Sequence, residues 1–329
     1  SSSAGTILCN GGSTTVTVSA AGGTAPYSGT GPQTVSAGSY SFTVTDANGC
    51  TSTTTGTVSE PAVLVASSSA GTILCNGGST TVTVSAAGGT APYSGTGPQT
   101  VSAGSYSFTV TDANGCTSTT TGTVSEPSAV VASSSAGTIL CNGGSTTVTV
   151  SAAGGTAPYS GTGPQTVSAG SYSFTVTDAN GCTSTTTGTV SEPAVLVASS
   201  SAGTIACNGG STTVTVSASG GTAPYSGTGP QTVSAGSYSF TVTDANGCTS
   251  TTTGTVSEPS AVVASSSAGT ILCNGGSTTV TVSASGGTAP YSGTGPQTVS
   301  AGSYSFTVTD ANGCTSTTTG TVSEPSAVV

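Results

Sequence analysis

Apart from its hydroxyls, the chain carries three residue types able to do chemistry: ten cysteines, ten carboxylates and ten tyrosines. Thiols can pair, ligate a soft metal or attack an electrophile; carboxylates can bind calcium or carry protons; phenol rings can stack on sugars. What accompanies them decides among these uses. Lys, Arg and His are all absent, so the usual general acids and bases and the cationic clamps for oxyanions and phosphates are missing. Enzymatic activity is not expected. A net charge of -10 with no positive residue removes the attraction that drives binding to nucleic acids and to anionic membranes, so neither is an expected partner, and no apolar run approaches the roughly 20 residues needed to span a bilayer.

The spacing of the cysteines exposes the organisation. They fall in pairs, Cys9 with Cys50, Cys75 with Cys116, Cys141 with Cys182, Cys207 with Cys248 and Cys273 with Cys314, each pair one 66-residue period after the last. The whole chain follows that period, giving five repeats at 1–66, 67–132, 133–198, 199–264 and 265–329. Differences are confined to Leu8 (Ala206 in the fourth repeat), Ala21 (Ser219 and Ser285) and the tail, which alternates between Pro61-Ala62-Val63-Leu64-Val65 and Pro127-Ser128-Ala129-Val130-Val131. Zinc sites need four ligands in short Cys/His pairs, which two lone cysteines per repeat do not supply. Even numbers at fixed spacing point instead to disulfides and an oxidising, extracellular compartment. The expected pairing is within each repeat, Cys9 to Cys50; the alternative joins Cys50 to Cys75 and leaves Cys9 and Cys314 for neighbouring chains.

The elements that must position these residues read as strands. In Tyr40-Ser41-Phe42-Thr43-Val44-Thr45 and Thr15-Val16-Thr17-Val18, apolar and hydroxyl side chains alternate with period two, and no window shows helical periodicity. Asn10-Gly11-Gly12 and Asp46-Ala47-Asn48-Gly49 supply hairpin turn chemistry, and Gly22-Gly23, Gly29 to Pro32 and Ala37-Gly38 mark further bends. The fold class is therefore all-β, a tandem array of small immunoglobulin-like antiparallel sandwiches with six or seven short strands and one disulfide each. The core candidates are Ile7, Leu8, Val16, Val18, Tyr27, Val35, Tyr40, Phe42, Val44, Val58 and the tail valines, a thin core that a disulfide would need to reinforce.

Each remaining candidate has a plain and a functional reading. Asp46, Asn48 and Glu60 are what an inter-domain calcium site would use, but calcium takes six to eight oxygens, so the expectation is that Asp46 organises its turn and Glu60 is solvated. Tyr40 lies on the apolar strand face as a corner tyrosine would; Tyr27, beside Pro26 and glycines, is the residue a glycan-binding loop would present. Thr51, Thr53, Thr54, Thr55 and Thr57 form the densest hydroxyl run and are candidate O-glycosylation sites on a surface that has almost no charge.

The strings Cys9-Asn10-Gly11-Gly12, Gly22-Gly23-Thr24-Ala25-Pro26-Tyr27, Ala37-Gly38-Ser39-Tyr40-Ser41-Phe42-Thr43-Val44-Thr45-Asp46-Ala47-Asn48-Gly49-Cys50 and Glu60-Pro61 resemble, in order, the SprB repeat of cell-surface adhesins from gliding bacteria. The resemblance implies an extracellular stalk of tandem sandwiches on a bacterial cell surface. The expected function is thus a structural repeat segment of a surface fibre or adhesin stalk, an internal part of a longer secreted protein, contacting neighbouring repeats and identical chains in a filament. The alternative is a multivalent array that binds surface glycans, in which repetition supplies avidity. Covalent O-glycans are the only non-protein group anticipated.

Overall fold

The computed structural model describes residues 1–329 and contains twenty-five strands, five in each repeat. In the first repeat they are β1 (Ser2–Ala4), β2 (Ser13–Val18), β3 (Gly31–Ser36), β4 (Gly38–Thr45) and β5 (Thr51–Val58). The second repeat continues with β6 (Val65–Ala70), β7 (Ser79–Ala87), β8 (Gly97–Ser102), β9 (Gly104–Thr111) and β10 (Thr117–Val124). Each repeat forms a three-stranded antiparallel sheet, β1-β2-β3 or β6-β7-β8, and a two-stranded one, β4-β5 or β9-β10. The all-β tandem sandwich is as expected. The strand number is lower than the six or seven anticipated, because the Gly22 to Thr30 stretch holds only one bridge, Ser28 to Thr45, and otherwise bends.

Period-two patterning sets the faces. Along β4, Tyr40 and Phe42 are half-buried and Val44 is buried, whereas Ser41 and Thr43 are exposed. Ile7, Val16, Val18, Val44 and Val58 form the first repeat's buried cluster, with Ala20, Tyr27, Val35, Tyr40 and Phe42 packed against it; the second, fourth and fifth repeats use the equivalent residues. Tyr40 pairs across the hairpin with Gly56, and a Cβ on Gly56 would overlap the tyrosine ring and hydroxyl, so this glycine is what lets the ring lie flat on the sheet. The two sheets are also joined by hydroxyls: Ser2 Oγ lies 3.1 Å from Tyr40 Oη and 2.9 Å from Thr54 Oγ1.

Three expected core positions are corrected. Leu8 is 55% exposed, and of the tail residues Val63 and Val65 are exposed while Leu64 is buried. Leu8 lies beyond the end of β1 in a segment whose backbone, not its side chain, makes the contacts described below.

Cα proximity groups the chain into two compact units. One holds Ser1–Ser135, Thr149–Pro164 and Ser173–Thr187, and the other Ala136–Val148, Gln165–Tyr172 and Gly188–Val329. Each disulfide lies wholly within one of them.

Candidate functional site: a covalent joint between repeats

Strand direction places the two cysteines of a repeat at opposite ends of its sandwich. Cys9 leads into β2, at the end marked by the pairs Ser13 with Ser36 and Gly38 with Val58; Cys50 sits in the turn beyond Thr45 and Thr51, at the end marked by Val18 with Gly31. The eight residues of β4 separate these ends by roughly 26 Å at ~3.3 Å per residue, whereas a disulfide needs Cα atoms within about 7 Å. The expected Cys9–Cys50 pairing is therefore overturned, and the alternative Cys50–Cys75 is not formed either, since Cys75 is bonded to Cys182 and Cys50 is unpaired. The disulfides are Cys9–Cys116, Cys75–Cys182, Cys141–Cys248 and Cys207–Cys314, with Cα–Cα distances of 5.8, 5.6, 5.7 and 5.6 Å. Each links the first cysteine of one repeat to the second cysteine of the next. Cys50 and Cys273 are unpaired and exposed.

Around each bond the chain builds the same joint. The Cys9-Asn10-Gly11 turn is held to its own repeat's exit segment by Glu60: Gly11 N donates to Glu60 Oε2 at 2.6 Å, and Asn10 Nδ2 donates to Glu60 Oε1 at 3.0 Å and to the Pro61 carbonyl at 3.1 Å. Glu60 is thus a clasp and not the idle solvated residue expected from sequence. The exit segment then crosses to the second repeat, where Gly89 N donates to the Ala62 carbonyl at 2.8 Å, Ala66 N donates to Ser118 Oγ at 3.0 Å and Leu64 packs over Gly89. Gly88 and Gly89 have φ of +74° and +60°, and a Cβ on Gly88 would collide with the Val63 carbonyl. This glycine pair both permits the backbone turn and makes room for the incoming segment. The joint closes with Asn114 Nδ2 donating to the Leu8 carbonyl at 3.0 Å, beside the Cys9–Cys116 bond.

Two of the three sites of sequence variation follow from this geometry. In the fourth and fifth repeats, Asn312 Nδ2 donates to the Ala206 carbonyl at 3.1 Å, so the side chain at this position is free to change. The two tail forms present the same carbonyl, Ala62 or Ser128, to Gly89 or Gly155, and plug the joint with Leu64 or Val130.

Asp112 organises the turn that carries Cys116. Its Oδ1 accepts from Asn114 N and Cys116 N and its Oδ2 from Thr90 N, all at 2.9 Å. The arriving exit segment buries this aspartate to 5% exposure, whereas Asp46 stays half-exposed. Burial is the largest single influence on the Asp112 carboxyl and pushes its pKa up; the backbone N–H donors of Thr90, Cys116, Asn114 and Gly115 together outweigh it, so the net shift is downward. At Asp46 the Thr24 N–H leads and the shift is also downward.

The other candidates fall elsewhere. Asp46 and Asn48 share one turn, Glu60 lies at the opposite end of the repeat, and both carboxylates are occupied by protein donors, so the three do not converge on one point. Tyr27 is half-buried against the core and donates its hydroxyl to the Gly22 carbonyl at 2.7 Å, the backbone bond that a corner tyrosine makes and that Tyr40 does not. Thr51, Thr53, Thr55 and Thr57 line the exposed face of β5; Thr54 is corrected, since it faces inward and bonds Ser2. No helix is long and apolar enough to cross a membrane.

No protein-family model matches the chain, and no curated protein does. Among solved structures it is similar to the crystal structure of the N-terminal eight Ig domains of Down Syndrome Cell Adhesion Molecule, isoform 1.30.30, at 12% identity and a TM-score of 0.26, over 89% of this chain and 60% of that one. Superposition at that level carries no functional argument, and the joint must be read on its own chemistry.

Two outcomes follow. Leu64→Ala should lower stability by about 2–3 kcal/mol in urea unfolding, as expected for a buried leucine, while Leu8→Ala should stay within about 0.5 kcal/mol. Because folding lowers the Asp112 carboxyl below its ordinary value of 3.8, the stabilisation is complete above that pH and is lost as pH falls through the lower folded value. The urea midpoint should be level between about pH 5 and 7 and drop only in stronger acid, and Asp112→Asn should shrink that drop.

Proposed function

We propose that the chain is a load-bearing segment of an extracellular bacterial surface fibre or adhesin stalk, as the resemblance to SprB repeats first suggested. The carrying observation is the staggered pairing of disulfides, each spanning 107 residues and tying one repeat to the next. A disulfide inside a repeat protects that repeat and leaves the connection to ordinary noncovalent contacts. A bond between repeats makes the connection covalent twice over, through the peptide chain and through sulfur. Four such bonds also require the oxidising surroundings found outside the cell.

The absence of Lys, Arg and His and the near-identity of the repeats support a mechanical over a chemical role: every unit performs the same task. The exposed Thr51, Thr53, Thr55 and Thr57 and their equivalents are proposed as O-glycan attachment points, which would hydrate a surface with only 3% charged residues. The glycan-binding alternative gains no support, since Tyr27 is engaged with the core and with the Gly22 carbonyl.

The staggering has a calculable consequence. Between Cys9 and Cys314 the shortest covalent routes cross three disulfides and contain only 66 residues of backbone, either forward from Cys116 to Cys141 and back from Cys248 to Cys207, or back from Cys116 to Cys75 and forward from Cys182 to Cys207. Both routes bear load in parallel. In single-molecule stretching between these two positions, extension should stop at about 250 Å under oxidising conditions, at ~3.5 Å per residue, and reach roughly 1,000 Å after reduction. Extension beyond the shorter limit without reduction would contradict the load-bearing reading.

A further inference from the structure

All ten asparagines of the chain are followed by glycine, and two of these Asn-Gly steps hold each of the four joints. At the joint closed by Cys75–Cys182, Gly77 N donates to Glu126 Oε2 at 2.6 Å, and Asn76 Nδ2 donates to Glu126 Oε1 and to the Pro127 carbonyl, each at 3.1 Å. From the third repeat, Asn180 Nδ2 donates to the Leu74 carbonyl at 3.2 Å and to Thr156 Oγ1 at 3.0 Å, while Gly181 N donates to the Asp178 carbonyl at 3.1 Å. Asn76, Gly77, Asn180 and Gly181 are nonetheless all exposed, so water reaches both steps.

Asn-Gly is also the step at which a peptide chain most readily attacks itself. The backbone nitrogen of the glycine approaches the side-chain amide carbon of the asparagine, and a residue without a side chain leaves that approach unhindered. These turns favour no other residue, because φ is +75° at Gly77 and +85° at Gly181, a left-handed backbone that side chains rarely adopt. The closed joint occupies the reacting groups instead. The Glu126 carboxylate retains the Gly77 N–H proton that must leave before attack, and together with the Pro127 carbonyl it holds the Asn76 amide.

We propose that each joint is a chemical latch: closed, it protects its two Asn-Gly steps from deamidation; opened by load or by reduction, those steps lose ammonia and the joint does not close again. In an opened joint Gly77 N gives up its proton to water, bonds to Asn76 Cγ and displaces the amide nitrogen, which takes up a proton and leaves as ammonia. One water then opens the resulting succinimide to aspartate or isoaspartate. One amide and one water become one carboxylic acid and one ammonia, with no oxidant or reductant. Both amides act as donors in the joint, whereas an ionised carboxylate only accepts. A carboxylate at position 76 would face Glu126 and the Pro127 carbonyl, and one at position 180 would face the Leu74 carbonyl, so attraction is replaced by opposed acceptors and like charge. The inference rests on the joint's geometry and not on its load-bearing role, so the stretching result and the results below can fail separately.

The test holds the full oxidised chain at mildly alkaline pH, then reduces it, cleaves after every glutamate and reads conversion from peptide masses and fragmentation. Peptides 61–126, 127–192, 193–258 and 259–324 all differ in composition, so each joint reports separately. Asn76, Asn142 and Asn208 should convert about tenfold or more slowly in the folded chain than in the same peptides excised beforehand, the protection expected of hydrogen bonds to a charged acceptor. Equal rates would overturn the proposal. Glu126→Ala should remove the protection at Asn76 alone, leaving Asn114 and also Asn142 and Asn208, whose glycines are held by Glu192 and Glu258 in the same molecule. A still-protected Asn76, or a rise shared by all four, would contradict protection by the clasp. Asn76→Asp, which reproduces the product, should raise the ratio of reduced to oxidised Cys75–Cys182 about tenfold relative to Cys141–Cys248 in a glutathione buffer, read by thiol alkylation. A Cys75–Cys182 bond indifferent to Asn76→Asp would show that conversion leaves the joint able to close, and the latch would be wrong.

Discussion

The structure depends on one constraint: the two cysteines of a repeat lie at opposite ends of a sandwich too long for a disulfide to span. The bond must then form between the far end of one repeat and the near end of the next, and the rest of the joint is arranged around it. Glu60 fixes the Cys9 turn to its own exit segment, Asp112 fixes the Cys116 turn to the receiving repeat, and Asn114 ties the two turns together through the Leu8 carbonyl. The only ionisable side chains besides cysteine and tyrosine are one Asp and one Glu per repeat, and at every joint one of each holds the two cysteine turns.

This arrangement compensates for a thin core. Five buried apolar side chains per core cluster are a small reserve for a domain of this length, and small sandwiches commonly need cross-links. A disulfide closing a loop of about 100 residues removes more denatured-state entropy than a short one, roughly 4–5 kcal/mol in the chain-entropy model. The loops here overlap, Cys75 lying inside the loop closed by Cys9 and Cys116, so their effects are shared and not simply additive. Burial tells the same story: the aspartates and valines at filled joints are more enclosed than Asp46 and Val44.

Much of the fold was legible in the sequence. The period, the β4 alternation, the Asp46 turn and the antiparallel hairpin across Cys50 all follow from local patterning, and so does the all-β class. The disulfide partners were not legible from spacing, because in a strict repeat any first cysteine can be matched with any second one. A correct count of strands would have helped: with β2, β3, β4 and β5 alternating in direction, Cys9 before β2 and Cys50 after β4 must lie at opposite ends. One further strand between β2 and β4 would reverse that parity. Thr54 lies within a run of hydroxyls that reads as surface, but period two turns it inward, toward Ser2. Glu60 gave no local signal at all, since its partners Asn10 and Gly11 are about 50 residues away.

The pairing can be read directly despite the identical repeats. Cleavage on the N-terminal side of every aspartate, under denaturing non-reducing conditions, cuts the chain before Asp46, Asp112, Asp178, Asp244 and Asp310. The disulfides described here would then leave two separate linked species of 177 and 152 residues, the first holding fragments 1–45, 112–177 and 244–309 and the second 46–111, 178–243 and 310–329. A single species containing every fragment would mean pairing within repeats, six unlinked fragments would mean Cys50 joined to Cys75, and either would contradict the joint on which this account rests.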